Sequence, residues 1–225
     1  MRRRAFWAAM TLLTIGTGGA QAAQVADNPQ MDADVAHLEH EWARIVYQVS
    51  DRGEQLKEID ALGKDAAIVV QHYPKRAEPL IWDGIINSEE AAIASMFTAL
   101  GYAKDARALF EQAEAIDPKA LDAAVPTSLG TLYYRVPGFP LGFGDDAKAR
   151  HYLEEAVSFS PNGMDANFFY GDFLLQKGEY KKAEQVLEHA LASPPHPDRP
   201  VWDAGRRVEI RELIAKVRQK LGAAQ

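Results

Sequence analysis

Apolar side chains recur every three or four residues along most of the chain after residue 31. The first such run contains Val35, Leu38, Trp42, Ile45 and Val49, a spacing that puts one apolar stripe along a helix. No stretch shows the sustained two-residue alternation, rich in β-branched residues, that is typical of strands. The pattern therefore predicts an all-α protein.

Prolines end these helical runs at regular intervals. Proline stops a helix because it lacks an N–H and keeps the preceding residue out of helical geometry, and it does so here at Pro74, Pro118, Pro161 and Pro195. The intervals of 44, 43 and 34 residues indicate repeated helix pairs. We predict a single helical domain over residues 32–221, with pairs over residues 32–74, 79–118, 121–161 and 164–195. An amphipathic helix over residues 200–221 is expected to cap the array, and the first pair to cap its other end.

Small and large residues alternate at fixed positions within the later pairs. The last pair places Tyr170 and Gly171 on its first helix and Ala183, Leu187 and Ala190 on its second. Glycine and alanine let two helix backbones approach closely, while the large residues fill the space beside them. These positions resemble the tetratricopeptide repeat over roughly residues 79–195. The resemblance implies a right-handed α-α superhelix, a solenoid of about four helix pairs that binds partners through its concave face.

The N-terminal residues have the three-part pattern of a secretory signal peptide. Three arginines precede an apolar run that is too short to span a bilayer, and small residues follow up to Ala22. We expect residues 1–22 to be removed, residues 23–31 to be a short linker, and the mature protein to be periplasmic, with no stable membrane anchor. An uncleaved anchor is the alternative interpretation.

Charge and residue content exclude several classes of function. The formal net charge of −7 would become −10 after loss of the three arginines, which argues against a nucleic-acid partner. The chain has no cysteine, so disulfides, thiolate metal sites and a lipid-modified cysteine are excluded. His37 and His40 do not have the spacing of a zinc-protease helix. We therefore expect no cofactor, no metal and no enzymatic activity.

Three stretches carry a narrower resemblance. Residues 79–85, 127–134 and 168–173 are similar to a group of exported bacterial tetratricopeptide-repeat proteins. That group includes proteins named after the T component of tripartite ATP-independent periplasmic transporters. Members so named are thought to partner a solute-binding protein, and some are lipoproteins. This chain departs from the group because it has no cysteine to carry a lipid.

An insertion separates the two helices of the third pair. Residues 136–144 contain two prolines, three glycines and two phenylalanines, so they cannot continue a helix and are too apolar for a solvated linker. Asp145 or Asp146 is expected to begin the next helix. Either Phe139 and Phe143 fill a gap between neighbouring pairs, or the loop binds a partner.

The alignment of the repeats also predicts the residues of the concave face. They are Thr127, Thr131 and Tyr134 on the third pair, and Phe168 and Asp172 on the fourth. With Phe139 and Phe143 they form the predicted binding site, although Tyr134 and Phe168 would also suit helix packing. Two functions remain open. One is a scaffold that binds an exported protein or peptide, and the other is an accessory component of a solute transport system that binds a small molecule.

Overall fold

The computed structural model describes residues 28–223. The predicted signal peptide, residues 1–22, lies outside these residues. Within the described part the chain forms helices and no strand, which confirms the predicted all-α class. The helices are α1 Pro29–Gln48, α2 Arg52–His72, α3 Ala77–Ile93, α4 Met96–Ile116, α5 Ala120–Arg135, α6 Asp146–Phe159, α7 Met164–Gln176, α8 Tyr180–Leu191 and α9 Pro200–Ala223.

Side-chain oxygens mark the start of three helices. Asn28 accepts a hydrogen bond from the Met31 N–H at the start of α1. The Asp51 carboxylate accepts one at α2, and Asp145 accepts two at α6. Such oxygens satisfy N–H groups that the first helical turn leaves without a backbone partner. The prediction that Asp145 or Asp146 begins the helix after the insertion is therefore correct, with Asp145 as the capping residue.

The helices form two layers. The even-numbered helices are the outer layer, and each packs against the helices before and after it in the chain. The odd-numbered helices are the inner layer, in which α1 contacts α3, α3 contacts α5, α5 contacts α7 and α7 contacts α9. This is the arrangement expected of a solenoid of helix pairs with a final helix that covers the last pair.

Glycines allow the two helices of a pair to pack closely. A Cβ at Gly130 would lie 2.7 Å from Leu153 Cγ, and one at Gly171 would lie 2.6 Å from Leu187 Cδ2. The second-helix residues Ala149, Leu153, Ala183 and Leu187 are fully buried. The small and large positions identified in the sequence therefore meet across the helix pair.

The two ends of the array also meet, because α9 contacts α1 as well as α8. At the crossing, a Cβ at Gly205 would lie 2.6 Å from Tyr47 Cε1. Tyr47 in turn donates a hydrogen bond to Glu209, at 3.1 Å. The sequence predicted separate caps at the two ends, whereas in the structure the inner layer of the described residues closes into a ring.

Candidate functional site: the central cavity

The ring of inner helices surrounds a cavity of about 1180 Å³. All five inner helices contribute to its wall, as do part of α4, the turns before α7 and α9 and the first residues of the insertion. Seven phenylalanine, tyrosine and tryptophan side chains line it: Trp42, Tyr47, Trp82, Phe159, Phe168, Phe169 and Trp202. The concave face is thus the wall of an internal chamber.

Arg206 of α9 joins this helix to α7 beside the cavity. Its side chain is only 7% exposed, and it pairs with Asp165 of α7 at 2.7 Å and with Glu209 of α9 at 2.6 Å. Its guanidinium lies over the ring of Phe168, 4.4 Å from the centroid. Burial disfavours the charge, but Asp165, Tyr47 and Glu209 outweigh that effect and raise the pKa of Arg206. Arg206 is thus a charged residue on the buried face of α9.

Arg199 makes a second connection between the ends of the array. It forms an ion pair with Glu39 of α1, and its guanidinium lies 3.9 Å from the centroid of the Trp202 ring. Burial, assisted by repulsion from Arg206, lowers the pKa of Arg199 to about 10. The side chain therefore remains charged at neutral pH. Arg199 and Arg206 are thus both paired with carboxylates and stacked on aromatic rings.

Glu89 of α3 is a carboxylate in the cavity wall that makes no hydrogen bond or ion pair with any residue from 28 to 223. Burial raises its pKa, and the attraction of Arg135 and Arg206 offsets only part of that shift. Trp42 also lines the cavity, and its buried indole N–H has no hydrogen-bond partner within the same residues. Glu89 and Trp42 are therefore an acceptor and a donor in the wall that residues 28–223 do not satisfy.

Three of the predicted site residues line the cavity. Thr127 and Thr131 lie on α5, and Phe168 lies on α7. The two threonine hydroxyls donate to backbone carbonyls one turn earlier in α5, at 2.8 and 2.7 Å. Their methyl groups and the Phe168 ring are therefore the groups that remain for contact with an occupant.

Two other predicted residues instead form a bond between helices. Tyr134 is buried and donates a hydrogen bond to Asp172 at 2.7 Å, while Arg135 pairs with the same carboxylate at 3.1 Å. Burial raises the pKa of Tyr134. Neither Tyr134 nor Asp172 lines the cavity, but Arg135 does. The pair holds α5 against α7 and fixes the position of Arg135.

The insertion separates its two phenylalanines. Phe143 is partly buried, with its ring edge against Tyr133 at 5.9 Å and Arg107 over its face at 4.4 Å. Phe139 is 94% exposed, and Leu141, 74% exposed, lies at the edge of the cavity. Phe143 thus fills the gap between α4 and α5, while Phe139 and Leu141 present an apolar surface. Phe143 therefore fits the first interpretation of the loop, and the second stays a prediction for Phe139.

The sequence reasoning did not identify several cavity residues. Trp82, Ile85 and Glu89 have the spacing of one face of α3, which could have placed them together on an inner helix. Tyr47 and Arg206 had no comparable signal, because they meet only when α9 reaches α1. The part of the site contributed by the two chain ends therefore depends on ring closure.

Comparisons with known proteins agree with this architecture. Residues 141–207 match the family model described as tetratricopeptide repeat. The chain is also similar to the crystal structure of a thermophilic tetratricopeptide-repeat protein of Thermus thermophilus. The TM-score is 0.55 and the identity 16%, over 83% of this chain and 91% of that one. The chain has the tetratricopeptide-repeat fold. None of the curated proteins matches the sequence.

Tetratricopeptide repeats commonly act as protein-interaction scaffolds and are generally non-catalytic. Residues 28–223 contain no group of three or more histidine or acidic side chains that could hold a metal ion. None of the described helices is both long and apolar enough to cross a membrane.

Proposed function

We propose that this protein is a non-catalytic, periplasmic tetratricopeptide-repeat protein that binds a small molecule in its central cavity. The observation that carries the proposal is the contact between α9 and α1, which turns the concave face into the wall of a chamber. Small-molecule sites are largely apolar and measure about 300–1,000 Å³, with a few polar groups in place. The 1180 Å³ cavity is slightly larger than this range, and its aromatic wall and unsatisfied Glu89 and Trp42 groups fit the rest of the description.

The closed ring favours the small-molecule function over the peptide scaffold that was the first sequence-based hypothesis. A peptide that binds along a concave face needs an open groove, and here the Arg199–Glu39 ion pair connects the two ends of the groove. A small occupant needs no such opening along its length. The proposal therefore corresponds to the second hypothesis, an accessory component of a solute transport system.

A protein partner is supported by a different observation, the exposure of Phe139 and Leu141. Leu141 also lies in the cavity wall, so a partner that covers this loop would contact one edge of the chamber. We propose that an exported protein with an apolar surface docks here and exchanges the bound molecule. Crosslinking from residue 139 in the native periplasm, followed by identification of the captured proteins, tests this second proposal.

Native mass spectrometry of the protein purified from its own periplasm tests the small-molecule function. We expect a bound mass that is released on unfolding. The matched control is Ser128→Phe, since Ser128 lines the cavity and a phenylalanine there would occupy part of its volume. Loss of the bound mass in this variant, with unchanged helical content, supports the cavity as the site. The same mass on the variant and the natural protein would place the ligand elsewhere.

A further inference from the structure

Cations already cover most of the aromatic rings in the cavity wall. Lys119 lies over Phe159 at 4.6 Å, Arg206 over Phe168 at 4.4 Å, Arg135 over Phe169 at 5.4 Å and Arg199 over Trp202 at 3.9 Å. The face of an aromatic ring attracts positive charge, which explains these pairings. Each of the three arginines is in turn paired with a carboxylate. Arg206 pairs with Asp165 and Glu209, Arg135 with Asp172, and Arg199 with Glu39.

The wall formed by α1 and α3 also combines aromatic rings with a carboxylate, but it has no cation over the rings. The rings of Trp42, Tyr47 and Trp82 line the cavity, and no lysine or arginine among residues 28–223 lies over them. Trp42 and Trp82 pack edge to face, with their ring centroids 5.9 Å apart. Glu89 belongs to this wall, and it is the carboxylate without an ion pair described above. The groupings around Phe168, Phe169 and Trp202 each contain an arginine.

The formal charge of the whole cavity wall is negative, like that of Glu89. Five carboxylates and three guanidinium groups line it: Glu39, Glu89, Asp122, Asp165 and Glu209, against Arg135, Arg199 and Arg206. A cavity wall with excess negative charge and low-dielectric surroundings attracts cations and disfavours anions. An anionic occupant would also have to compete with carboxylates that the arginines already bind.

We propose that the cavity binds a small amphipathic organic cation, with its ammonium group on Glu89 and its apolar body along Ile85, Trp82 and Trp42. This inference rests on the small-molecule function proposed above. Trp82, Ile85 and Glu89 lie on one face of α3, and Trp82 and Glu89 are about 10 Å apart along the helix axis. An occupant with a cationic head and an apolar body of about that length spans the wall.

The tryptophans provide the assay. The chain has four, of which Trp42, Trp82 and Trp202 line the cavity and Trp7 belongs to the predicted signal peptide. Intrinsic fluorescence of the exported protein therefore reports on cavity occupancy. Three probes share one phenylalkyl body and differ in the charge of the head group: phenylbutylamine, phenylbutanol and phenylbutyrate. We expect phenylbutylamine to bind about tenfold more tightly than phenylbutanol, as for a partly buried charged hydrogen bond, and phenylbutyrate to bind most weakly.

Variants at Glu89 assign the preference to this residue. In Glu89→Gln, phenylbutylamine should bind only as tightly as phenylbutanol, whose affinity should not change. The matched control is Glu212→Gln, an exposed glutamate of α9 outside the cavity wall, which should leave all three affinities unchanged. Circular dichroism shows whether each variant is folded.

A pH titration of the unmodified protein gives an independent measurement if a variant fails to fold. Arg135 of α5 and Arg206 and Glu209 of α9 act on Glu89, and burial raises its pKa. Acidification should therefore weaken phenylbutylamine binding by neutralising Glu89, and should leave phenylbutanol binding unchanged.

The outcomes separate the two proposals. If none of the three probes changes the fluorescence or the melting temperature, both the small-molecule function and the cation inference are wrong. If phenylbutanol or phenylbutyrate binds as tightly as phenylbutylamine, the cation inference is wrong and the small-molecule function stands. A preference for the amine that persists in Glu89→Gln would overturn the role of Glu89.

Discussion

Ring closure predicts opposite effects for two Gly→Ala substitutions. Alanine is favoured over glycine inside a helix by about 1 kcal/mol. Gly101 of α4 has no heavy atom within 4 Å of an added Cβ, so Gly101→Ala should raise the free energy of unfolding by about that amount. At Gly205 the added Cβ would lie 2.6 Å from Tyr47 Cε1. The Tyr47 ring cannot move away easily, because its hydroxyl bonds to Glu209 at 3.1 Å and its edge packs against Trp42.

Overpacking of this kind costs about 1–3 kcal/mol, and the fixed ring places Gly205→Ala near the upper limit. After the helix-propensity gain, the variant should be about 2 kcal/mol less stable than the natural protein. For a chain of this length, that lowers the melting temperature by about 4–8 °C, whereas Gly101→Ala raises it by about 2–4 °C. Scanning calorimetry measures both shifts. Tryptophan fluorescence should also move to longer wavelength in Gly205→Ala as α9 separates from α1. A Gly205→Ala protein that melts at or above the natural temperature would show that α9 does not close on Tyr47.

Three further predictions concern the ion pairs, the buried acid and the loop. Arg206→Met leaves Asp165 and Glu209 without their cation and should lower the free energy of unfolding, measured by urea denaturation, by about 2 kcal/mol. The loss is smaller than for a fully buried ion pair because both carboxylates are more than a third exposed. An unchanged denaturation midpoint would contradict this. Burial raises the pKa of Glu90 to about 7, so the folded state retains this proton to higher pH than the unfolded state. The free energy of unfolding should therefore fall by about 3 kcal/mol as pH rises from about 5 to about 8. Denaturation of Glu90→Gln at both pH values should lack that loss, and an equal loss in the variant would show that other groups cause it. Phe143→Ala should lower the melting temperature because the ring packs on Tyr133, whereas Phe139→Ala should change partner capture and leave melting unaltered; the reverse result would exchange the roles of the two residues.

Much of the architecture was accessible from local patterns. The three- and four-residue apolar spacing and the recurring prolines predicted helix pairs, and Asp145 was one of two predicted starts for α6. The position of Gly171 identified α7 and α8 as helices that pack together. These features depend on neighbours in the chain or on one partner helix. A repeat pattern therefore predicts the contacts within a helix and between the two helices of a pair.

The predicted site was less complete, because its side chains also depend on contacts with more distant helices. Thr127, Thr131 and Phe168 follow from their positions within a repeat and do line the cavity. Tyr134 and Asp172 have similar positions, but their side chains bond to each other, which a repeat alignment does not show. Whether a polar side chain faces a cavity or a neighbouring helix depends on where its partner lies.

The helices, their pairing and the packing positions inside each pair follow from short-range periodicity and can be predicted from the amino-acid sequence. Closure of the array on itself is visible only in the three-dimensional packing. Each pair adds a small rotation to the superhelix, and the sum of these rotations determines whether α9 reaches α1. That contact brings Tyr47 to Gly205 and Arg199 to Glu39, residues about 160 positions apart in the chain. The same closure turns a concave face into a chamber and leaves Glu89 there without an ion pair.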